Sequence, residues 1–174
     1  MAARLGVMAR SATEIDPRGG LTQDWAANRG APESQALLLM FRTAQLARRR
    51  LPPPLGRAVA VLYRVLSRVL WGVELPVEVA AGPGLRVFHG QALVVNPGVV
   101  LGRDVTLRHS VTLGVRPGRD GCPVLGDGVD VGSGAAVLGP VTLGAASTVG
   151  ANAVVLHDVA AGVAVVGNPA RSLP

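Results

Sequence analysis

Three histidines, His89, His109 and His157, are the candidates for proton-transfer chemistry in this sequence. Imidazole has an unperturbed pKa of about 6.5, so a histidine can take up and return a proton at neutral pH. A zinc site made of histidines needs three ligands, two of them close together in the sequence. The three histidines here are too widely spaced for that pattern. They therefore favour acid–base catalysis over a metal-dependent hydratase, which remains as an alternative.

The cysteine and charge content narrows the chemistry further. Cys122 is the single cysteine, so the chain forms no internal disulfide, which suits a reducing compartment such as the cytoplasm. No neighbour in the sequence would activate its thiol as an acyl-carrying nucleophile. The net charge of +6 is consistent with a polyanionic ligand such as a nucleotide cofactor. Nucleic acid is not expected, because no binding motif occurs and aromatic residues are only 3% of the chain.

A period of six residues organises the chain from Ala81 to Gly162. An apolar residue fills the repeat position, and a second small or apolar residue stands two places earlier. The repeat position holds Val95, Leu101, Leu107, Leu113, Leu125, Val131, Val137, Leu143, Val149, Val155 and Ala161. Such hexapeptides are typical of a parallel β-helix, a prism in which each repeat forms one face and its side chains stack inward. An α-helical period does not produce this pattern.

Glycine follows many of the repeat residues. It stands at Gly102, Gly114, Gly126, Gly132, Gly144, Gly150 and Gly162. Since glycine adopts a positive φ without steric cost, we expect these glycines to turn the chain at the corners of the prism. Hydrophobic residues make up 49% of the chain while aromatic residues are scarce, which fits a core of stacked aliphatic side chains.

Two irregularities interrupt the repeat, and departures from a regular pattern are where functional residues are expected. Val87 and Val95 are eight residues apart, so two extra residues enter there, and His89 lies among them. Residues 115–122 do not fit the pattern although the phase is kept across them, which predicts a loop that protrudes from the prism. We expect both interruptions to lie near each other on one edge.

A helical segment precedes the repeats. Residues 1–20 resemble a mobile tail and not a signal peptide, because charged residues break up any apolar run. A short helix is predicted over 25–28 with Asp24 as its N-cap, and a longer one over 35–50 opened by Ser34. A third helix is predicted over 55–71.

The helix predicted over 55–71 combines a wide apolar face with a row of arginines. Arg57, Arg64 and Arg68 follow each other at spacings of seven and four, so they line one side. We expect the apolar face to pack on the helix predicted over 35–50, on the end of the β-helix or on another subunit. A membrane surface is the alternative, since a basic amphipathic helix can lie there. No apolar run of the sequence reaches membrane-spanning length.

Several runs carry a resemblance to the serine acetyltransferase group of hexapeptide acyltransferases. These runs are GPGLRVFHGQALVVNPGVVLGRDVTLRHSVTLG, PVLGDGVDVGSGAAVLGPVTLGAASTVGANAVVLHDV and VVGNPAR, together with DWAAN and LYR…WGVELP nearer the N-terminus. The sequence is similar above all to short members linked to exopolysaccharide clusters, such as the colanic acid acetyltransferases. The resemblance covers residues 21–173. The hexapeptides are common to many acyltransferases, whereas the region of His89 and the GNPAR run are more specific.

The resemblance implies an all-β core, a left-handed parallel β-helix preceded by a short α-helical region. On this basis residues 1–20 form a tail, 21–73 the helical region, 74–166 the β-helix with its loop 115–122, and 167–174 a C-terminal tail on the cofactor side. It also implies a homotrimer, which could double to a hexamer through the helices. The active site would lie between neighbouring subunits.

The resemblance further assigns roles to particular residues. His89 corresponds to the catalytic histidine, and the position of its carboxylate partner falls on Glu74, where the family has aspartate. A carboxylate bonded to the second ring nitrogen would hold the tautomer and stabilise the imidazolium. Acetyl-CoA is the expected co-substrate, with no metal. Its expected contacts are Gly139, Ala151, Gly167, Asn168, Pro169, Arg171 and Arg116.

The residues expected to bind the acceptor differ from those of the longer serine acetyltransferases. Those enzymes carry an aspartate immediately before the catalytic histidine and an Arg-His pair before the proline that ends the loop. Here these positions hold Phe88, Gly121 and Cys122. We expect Phe88, His109 and Arg108 to line the acceptor pocket.

Three hypotheses about function follow from these observations. The first is O-acetylation of L-serine or a serine-like compound, with a sugar hydroxyl as the alternative acceptor. The second is a metal-dependent hydratase on the same β-helix, like the γ-type carbonic anhydrases. The third is a non-catalytic β-helix scaffold, which would need neither the interruption at His89 nor the GNPAR run.

Overall fold

A computed structural model describes residues 20–173 of the chain, which form a helical layer followed by a prism of short strands. A 3-10 helix (Ala26–Asn28) leads into α1 (Pro32–Arg50) and α2 (Pro53–Trp71). The strands are β1 (Ala80–Ala81), β2 (Arg86–Phe88), β3 (Val94–Val95), β4 (Val100–Leu101), β5 (Thr106–Arg108), β6 (Thr112–Gly114), β7 (Val124–Leu125), β8 (Asp130–Val131), β9 (Ala136–Leu138), β10 (Thr142–Leu143), β11 (Thr148–Val149), β12 (Val154–Val155), β13 (Ala164–Val166) and β14 (Arg171–Ser172).

The strands form three parallel sheets, one for each face of the prism. Face 1 holds β1-β4-β7-β10, face 2 holds β2-β5-β8-β11-β13, and face 3 holds β3-β6-β9-β12. Strands three apart in the chain are therefore neighbours, as when Leu101 pairs with both Ala81 and Leu125. The exceptions are at the end of face 2, where β13 pairs with β11 and β14 runs antiparallel to β13. The prediction of a parallel β-helix is confirmed, and the prism has about four coils.

The core is a column of aliphatic side chains inside the prism. The repeat residues from Val95 to Val155 are buried, and so are the residues two places before them. Burying one valine or leucine fully contributes about 1.5–3 kcal/mol. The sequence pattern thus gives two inward positions in each hexapeptide, and the identical stacking of coils explains why the same residue types recur.

The glycines that follow the repeat residues do not turn the corners as predicted. Of those named above, only Gly162 has a positive φ. The positive φ instead falls two places later, at residues such as Asp104, Gly128 and Ala146. A Cβ added to Gly144 would lie 2.4 Å from the backbone nitrogen of Ala161 in the next coil. Glycine is needed at Gly102, Gly126, Gly132 and Gly144 because the backbone of the next coil lies too close for a side chain. A dihedral preference alone does not reveal such a close approach.

The helical layer forms largely as predicted, with different capping. Asp24 does not cap the 3-10 helix, and Ser34 lies inside α1, because both side chains bond the first coil instead. Pro53 and Pro54 begin α2, where the absent amide hydrogens cost nothing. Phe41 of α1 and Tyr63 of α2 pack with ring centroids 6.0 Å apart, which fixes the two helices against each other.

Only one side of α2 is covered. Gly56, Ala60, Tyr63 and Ser67 are buried, and Gly56 lets α2 approach the backbone of Ala47 in α1. Helix α2 therefore packs on α1 through this side. The apolar face that was expected to pack there is exposed within the described residues, at Leu62, Val65, Val69 and Leu70, so the predicted packing of that face on α1 is not observed. Within residues 20–173, no helix is long and apolar enough to cross a membrane.

Candidate active site beside one face of the prism

His89 lies in the widened corner between β2 and β3. Its φ is +50°, and Ala92 in the same loop has a φ of +58°. Ala92 occupies the place where other corners also have their positive φ, immediately before an inward residue. His89 is thus the additional left-handed residue that the two extra positions create. The imidazole is exposed and makes no hydrogen bond within the described part of the chain, so it is accessible to a substrate.

Strand β2, which ends at Phe88, is held by side chains from the helical layer. It is the outermost strand of face 2, so one edge of its backbone has no neighbouring strand. Asn28 Oδ1 accepts from the amide of Val87 at 3.1 Å, and Asn28 Nδ2 donates to the carbonyl of Leu85 at 2.8 Å. Asp24 accepts from the Leu85 amide, and Ser34 donates to the Val87 carbonyl. The DWAAN run therefore completes the first coil and fixes the strand directly before His89.

A buried ion pair supports the same end of the prism. Arg42 Nε lies 2.8 Å from Asp24 Oδ2, and both side chains are almost fully buried. Arg42 also donates to the carbonyls of Ala81 and Gly82, and Gln45 donates to the carbonyl of Val79. Polar groups inside a protein are stable only when they are paired, so these residues substitute for the strand that the first coil lacks.

Glu74 lies on the outer surface of face 3, next to the loop that carries His89. Its backbone bonds the edge of β3, with the amide donating to Leu93 and the carbonyl accepting from Val95. Its carboxylate is 2.8 Å from Arg68 of α2, and about half of each side chain is exposed. No hydrogen bond joins Glu74 to His89 within residues 20–173. The predicted pairing of Glu74 with His89 stays a prediction.

The protruding loop 115–122 lies at a different corner from His89. It leaves the prism between β6 and β7, so it follows face 3, whereas the His89 loop precedes face 3. The expectation that the two interruptions share one edge was wrong. One coil takes three hexapeptides, so only positions roughly 18 residues apart share a corner. His89 and Val115 are separated by about one and a third coils, which places them on the two borders of face 3.

A groove of about 430 Å³ lies between α2 and the outer surface of face 3. Tyr63, Arg64 and Arg68 of α2 line one side, and Glu74 together with residues of β3 and β6 lines the other. Burial raises the pKa of Tyr63, which keeps its hydroxyl protonated so that it donates to the Leu75 carbonyl at 2.9 Å. Val115 at the start of the loop reaches the groove. The groove could receive an elongated substrate between the two interruptions of the repeat.

Phe88 and Arg108 are neighbours on face 2, one coil apart. Their Cα atoms are paired partners of β2 and β5, and the Arg108 guanidinium lies 6.0 Å from the Phe88 ring centroid. Arg108 is held by Asp130, with Nη2 3.2 Å from Oδ2. The hydrogen bond that Arg108 donates to Asp130 raises the pKa of Arg108. Arg108 is therefore a charged but already paired group, and Phe88 offers an exposed ring beside His89.

Of the other two histidines, His109 shares the corner of His89 and His157 lies at a different one. His109 is exposed on the same corner as His89, one coil further, and its carbonyl accepts from Gly134 at 3.0 Å. His157 is exposed on the corner that also carries the protruding loop. His109 is consequently the histidine that can share a substrate with His89 in one chain.

The predicted cofactor residues divide between the same two corners. Gly139 lies on the loop side, where its added Cβ would be 3.1 Å from the Cβ of Arg116. Ala151 lies on the His89 side and is exposed. A single chain does not bring Gly139 and Ala151 together, because face 3 separates the two corners.

The C-terminal tail covers the end of face 3. The carbonyl of Gly167 accepts from Val154, and the amide of Ala170 donates to Val154. Asn168 and Pro169 between them are exposed, and so is Arg171, whose guanidinium bonds only the neighbouring carbonyl of Ala170 among the described residues. Arg171 is therefore available for an anionic ligand.

Sequence reasoning did not identify how the helical layer holds the first coil. Asp24, Asn28, Ser34, Arg42 and Gln45 are buried and bonded to prism backbone or to each other. A signal was present, because Ser34, Arg42 and Gln45 lie on the same side of α1 as Leu38 and Phe41. Polar residues within an apolar helix face need buried partners.

No cluster of three or more potential metal ligands from histidine, cysteine, aspartate or glutamate occurs within residues 20–173.

Comparison with known proteins relates this arrangement to one group of enzymes. No family model matches the chain. The chain is 37% identical over 138 residues to "Serine acetyltransferase" of Helicobacter pylori (strain ATCC 700392 / 26695), covering 78% of each protein. It is 41% identical over 113 residues to "Putative colanic acid biosynthesis acetyltransferase WcaB" of Escherichia coli (strain K12), covering 64% of this chain and 69% of that protein.

Solved structures give the same result. Soybean serine acetyltransferase without ligand superposes with a TM-score of 0.77 at 29% identity, over 93% of this chain and 71% of that one. The soybean enzyme complexed with serine gives 0.76 at 28% identity, over 95% and 72% of the two chains. The serine acetyltransferase of Brucella abortus strain S19 in complex with coenzyme A gives 0.74 at 25% identity, over 94% and 71%.

Proposed function

The chain belongs to the serine acetyltransferase family, and we propose that it transfers acetyl from acetyl-CoA to the hydroxyl of L-serine or a serine-like acceptor. It is an acyltransferase, with acetyl-CoA as co-substrate. The observation that carries the proposal is the exposed His89 in the widened corner of a hexapeptide β-helix whose neighbours include coenzyme A and serine complexes. The single cysteine favours a reducing compartment, and we place the enzyme in the cytoplasm.

His89 acts as the general base in this reaction. A hydroxyl group is almost wholly protonated at neutral pH, so its oxygen needs a base as it attacks the thioester carbonyl. His89 takes the hydroxyl proton while the new C–O bond forms and the carbonyl electrons move onto oxygen. The intermediate then collapses, the C–S bond breaks, and the imidazolium returns the proton to the departing sulfur of CoA. The base is regenerated and no oxidant, reductant or metal is consumed.

Glu74 is the proposed partner of His89, through the second ring nitrogen. Glu74 and the His89 loop lie next to each other at the end of face 3, which supports the assignment. The carboxylate also has a competing partner, because it forms an ion pair with Arg68. An exposed ion pair contributes only about 0–1 kcal/mol, so Glu74 can exchange Arg68 for His89 at small cost.

A homotrimer completes the proposed site. In one chain the His89 corner and the loop 115–122 border opposite sides of face 3, and His89 is exposed to solvent. A neighbouring subunit placed against the His89 corner would bring its own loop corner, and with it Gly139 and Arg116, close to His89 and Ala151. This would also shield the base from water. A monomer in sedimentation at micromolar concentration would contradict the trimer.

The cofactor residues fit a ligand that is long and anionic. The pantetheine arm would pass between subunits at Gly139 and Ala151, where small side chains allow a close approach. The terminal Gly167, Asn168 and Pro169 would border it, and Arg171 and Arg116 would meet phosphate oxygens. Arg171 supports this role because its guanidinium is exposed.

A sugar hydroxyl is the second candidate acceptor, and two observations favour it. The WcaB protein of Escherichia coli, named for colanic acid biosynthesis, is 41% identical over the matched region. Phe88 has an exposed ring at a position where a carboxylate would be needed to pair with the ammonium group of serine. Arg108 beside it is already bonded to Asp130, so it is less available for the carboxylate of serine. An aromatic ring is a suitable surface for the apolar face of a sugar. His109, on the same corner, would contact either acceptor.

The His89→Ala variant tests the proposal. Its turnover number for acetyl transfer, followed as CoA thiol release, is expected to fall about 10²–10⁴-fold, the usual contribution of a general base. CoA affinity by calorimetry and the assembly mass are expected to remain unchanged. Glu74→Gln should reduce turnover less, because it keeps the size of the side chain and removes only the charge.

His109→Ala is the matched control, since it removes an exposed imidazole from the same corner one coil away. It should change the apparent affinity for the acceptor and leave turnover close to normal. If His89→Ala retained normal turnover while His109→Ala abolished it, the general base would be His109, one coil further, and the assignment of His89 would be wrong. Full activity in both variants would refute histidine-based acyl transfer. Parallel assays with L-serine and with nucleotide-linked or lipid-linked sugars identify the acceptor.

A further inference from the structure

The outer side of α2 is an exposed apolar surface. Six of the fourteen large apolar residues that are exposed within residues 20–173 lie on this single helix: Leu55, Val61, Leu62, Val65, Val69 and Leu70. Val69 is 75% exposed and Leu62 58%, so these side chains are not covered by α1 or by the prism. At about 100° per residue, Leu55, Val61, Leu62, Val65 and Val69 fall within a sector of about 120°. A continuous apolar face of this kind marks an interaction surface.

A row of arginines borders this face. Arg57, Arg64 and Arg68 lie within a sector of about 40° along one edge of it. All three side chains are exposed, and no acidic residue occurs in α2. Arg68 pairs with Glu74, whereas no carboxylate of residues 20–173 lies within 4.0 Å of Arg57 or Arg64. The exposed Arg49 and Arg50 at the end of α1 add positive charge where α2 begins.

The charge on this face decides between two occupants. A second copy of the chain that packed the same face of its own α2 here would bring another apolar sector, but also another arginine row and no carboxylate from α2 to pair with it. Like charges would then face each other without compensation. An anionic lipid surface offers hydrocarbon for the apolar sector and phosphate oxygens for the arginines. A helix with an apolar face bordered by arginines is the kind that lies in the plane of a membrane interface.

We propose that α2 docks this enzyme on an anionic membrane surface, with the apolar sector inserted among the lipids and Arg57 and Arg64 on the head groups. The groove, which Arg64, Arg68 and Glu74 help to line, lies on the inward-facing side of α2, next to the arginine row and away from the apolar sector. Docking would therefore leave the groove accessible from the side of the prism. The proposal does not depend on which acceptor the enzyme uses.

Flotation of the full-length protein with lipid vesicles tests the docking. Vesicles of phosphatidylcholine with about 30 mol% phosphatidylglycerol are expected to carry the protein, because each arginine near an anionic surface strengthens binding about fivefold. Vesicles of phosphatidylcholine alone should bind it much more weakly. The Arg57→Gln, Arg64→Gln double variant should lose about 25-fold in vesicle affinity, whereas Arg103→Gln, Arg119→Gln removes the same charge from the prism and should lose little.

A second pair of variants tests the apolar sector. Leu62→Glu should abolish flotation, while Leu173→Glu, at a similarly exposed leucine in the C-terminal tail, should not. Circular dichroism establishes that each variant is folded; if Leu62→Glu is not, the arginine double variant decides. Equal binding to both vesicle types, or no binding to either, would overturn the proposal. So would light scattering in which Leu62→Glu halves the assembly mass without changing flotation, since the face would then join two copies.

Discussion

Asn28 offers a direct test of how the helical layer holds the strand in front of His89. Its side chain is 1% exposed and makes three hydrogen bonds, two of them to the outer edge of β2. In Asn28→Ala, the amide of Val87 and the carbonyl of Leu85 lose these partners in a buried environment. Each unpaired buried group costs about 1–3 kcal/mol. We therefore expect the free energy of unfolding to fall by about 2–5 kcal/mol.

Chemical denaturation with the variant and the parent protein in parallel measures this loss. Gln35→Ala is the matched control, because the Gln35 amide makes one hydrogen bond, to the Trp25 carbonyl near the surface. We expect Gln35→Ala to cost less than 1 kcal/mol, since water can replace that bond. The hydrogen-exchange rate of the Val87 amide measures the loss of this bond locally. The rate should increase in Asn28→Ala and stay unchanged in Gln35→Ala.

The consequence for activity is separable from stability. If Asn28 keeps β2 in place, the variant should lower turnover at temperatures where it is still fully folded, because the loop that carries His89 begins at the end of β2. An Asn28→Ala protein with parent-like stability and unchanged exchange at Val87 would refute the capping argument. Lost stability with normal turnover would show that the cap stabilises the coil without positioning His89.

Three further substitutions test the packing and the cofactor end. Gly144→Ala should destabilise the protein by about 1–3 kcal/mol or more, because the added Cβ would lie 2.4 Å from Ala161 N. Gly114→Ala is the control, since its Cβ would meet nothing closer than 3.7 Å, and thermal melting compares the stability of the two variants. Ser147→Ala should raise the free energy of unfolding by about 1 kcal/mol, since Ser147 Oγ is buried with no partner within residues 20–173; an unchanged or lower value would indicate a bonded hydroxyl. Arg171→Ala should weaken CoA binding in calorimetry more than it lowers turnover, and unchanged affinity would remove Arg171 from the cofactor site.

The sequence determined the architecture of this protein because the β-helix is built from local repeats. Each hexapeptide carries its own inward residues, so the stacking of Leu125 on Leu143, one coil of three hexapeptides later, follows from spacing alone. The widened corner at His89 could be predicted for the same reason, since two extra residues between Val87 and Val95 must leave the prism. The family resemblance added the acetyl-CoA chemistry, which the relatives and the solved structures bear out.

Only the tertiary structure decided which surfaces face each other. The close approach of coils at Gly144, the side-chain cap on β2 from Asn28, and the separation of His89 from loop 115–122 by a whole face all depend on residues far apart in the chain. Periodicity predicts which side of a strand is buried, but it does not predict which residues elsewhere in the chain pack against that strand. For the same reason the arginine-bordered face of α2 became interpretable only when the folded chain left it uncovered.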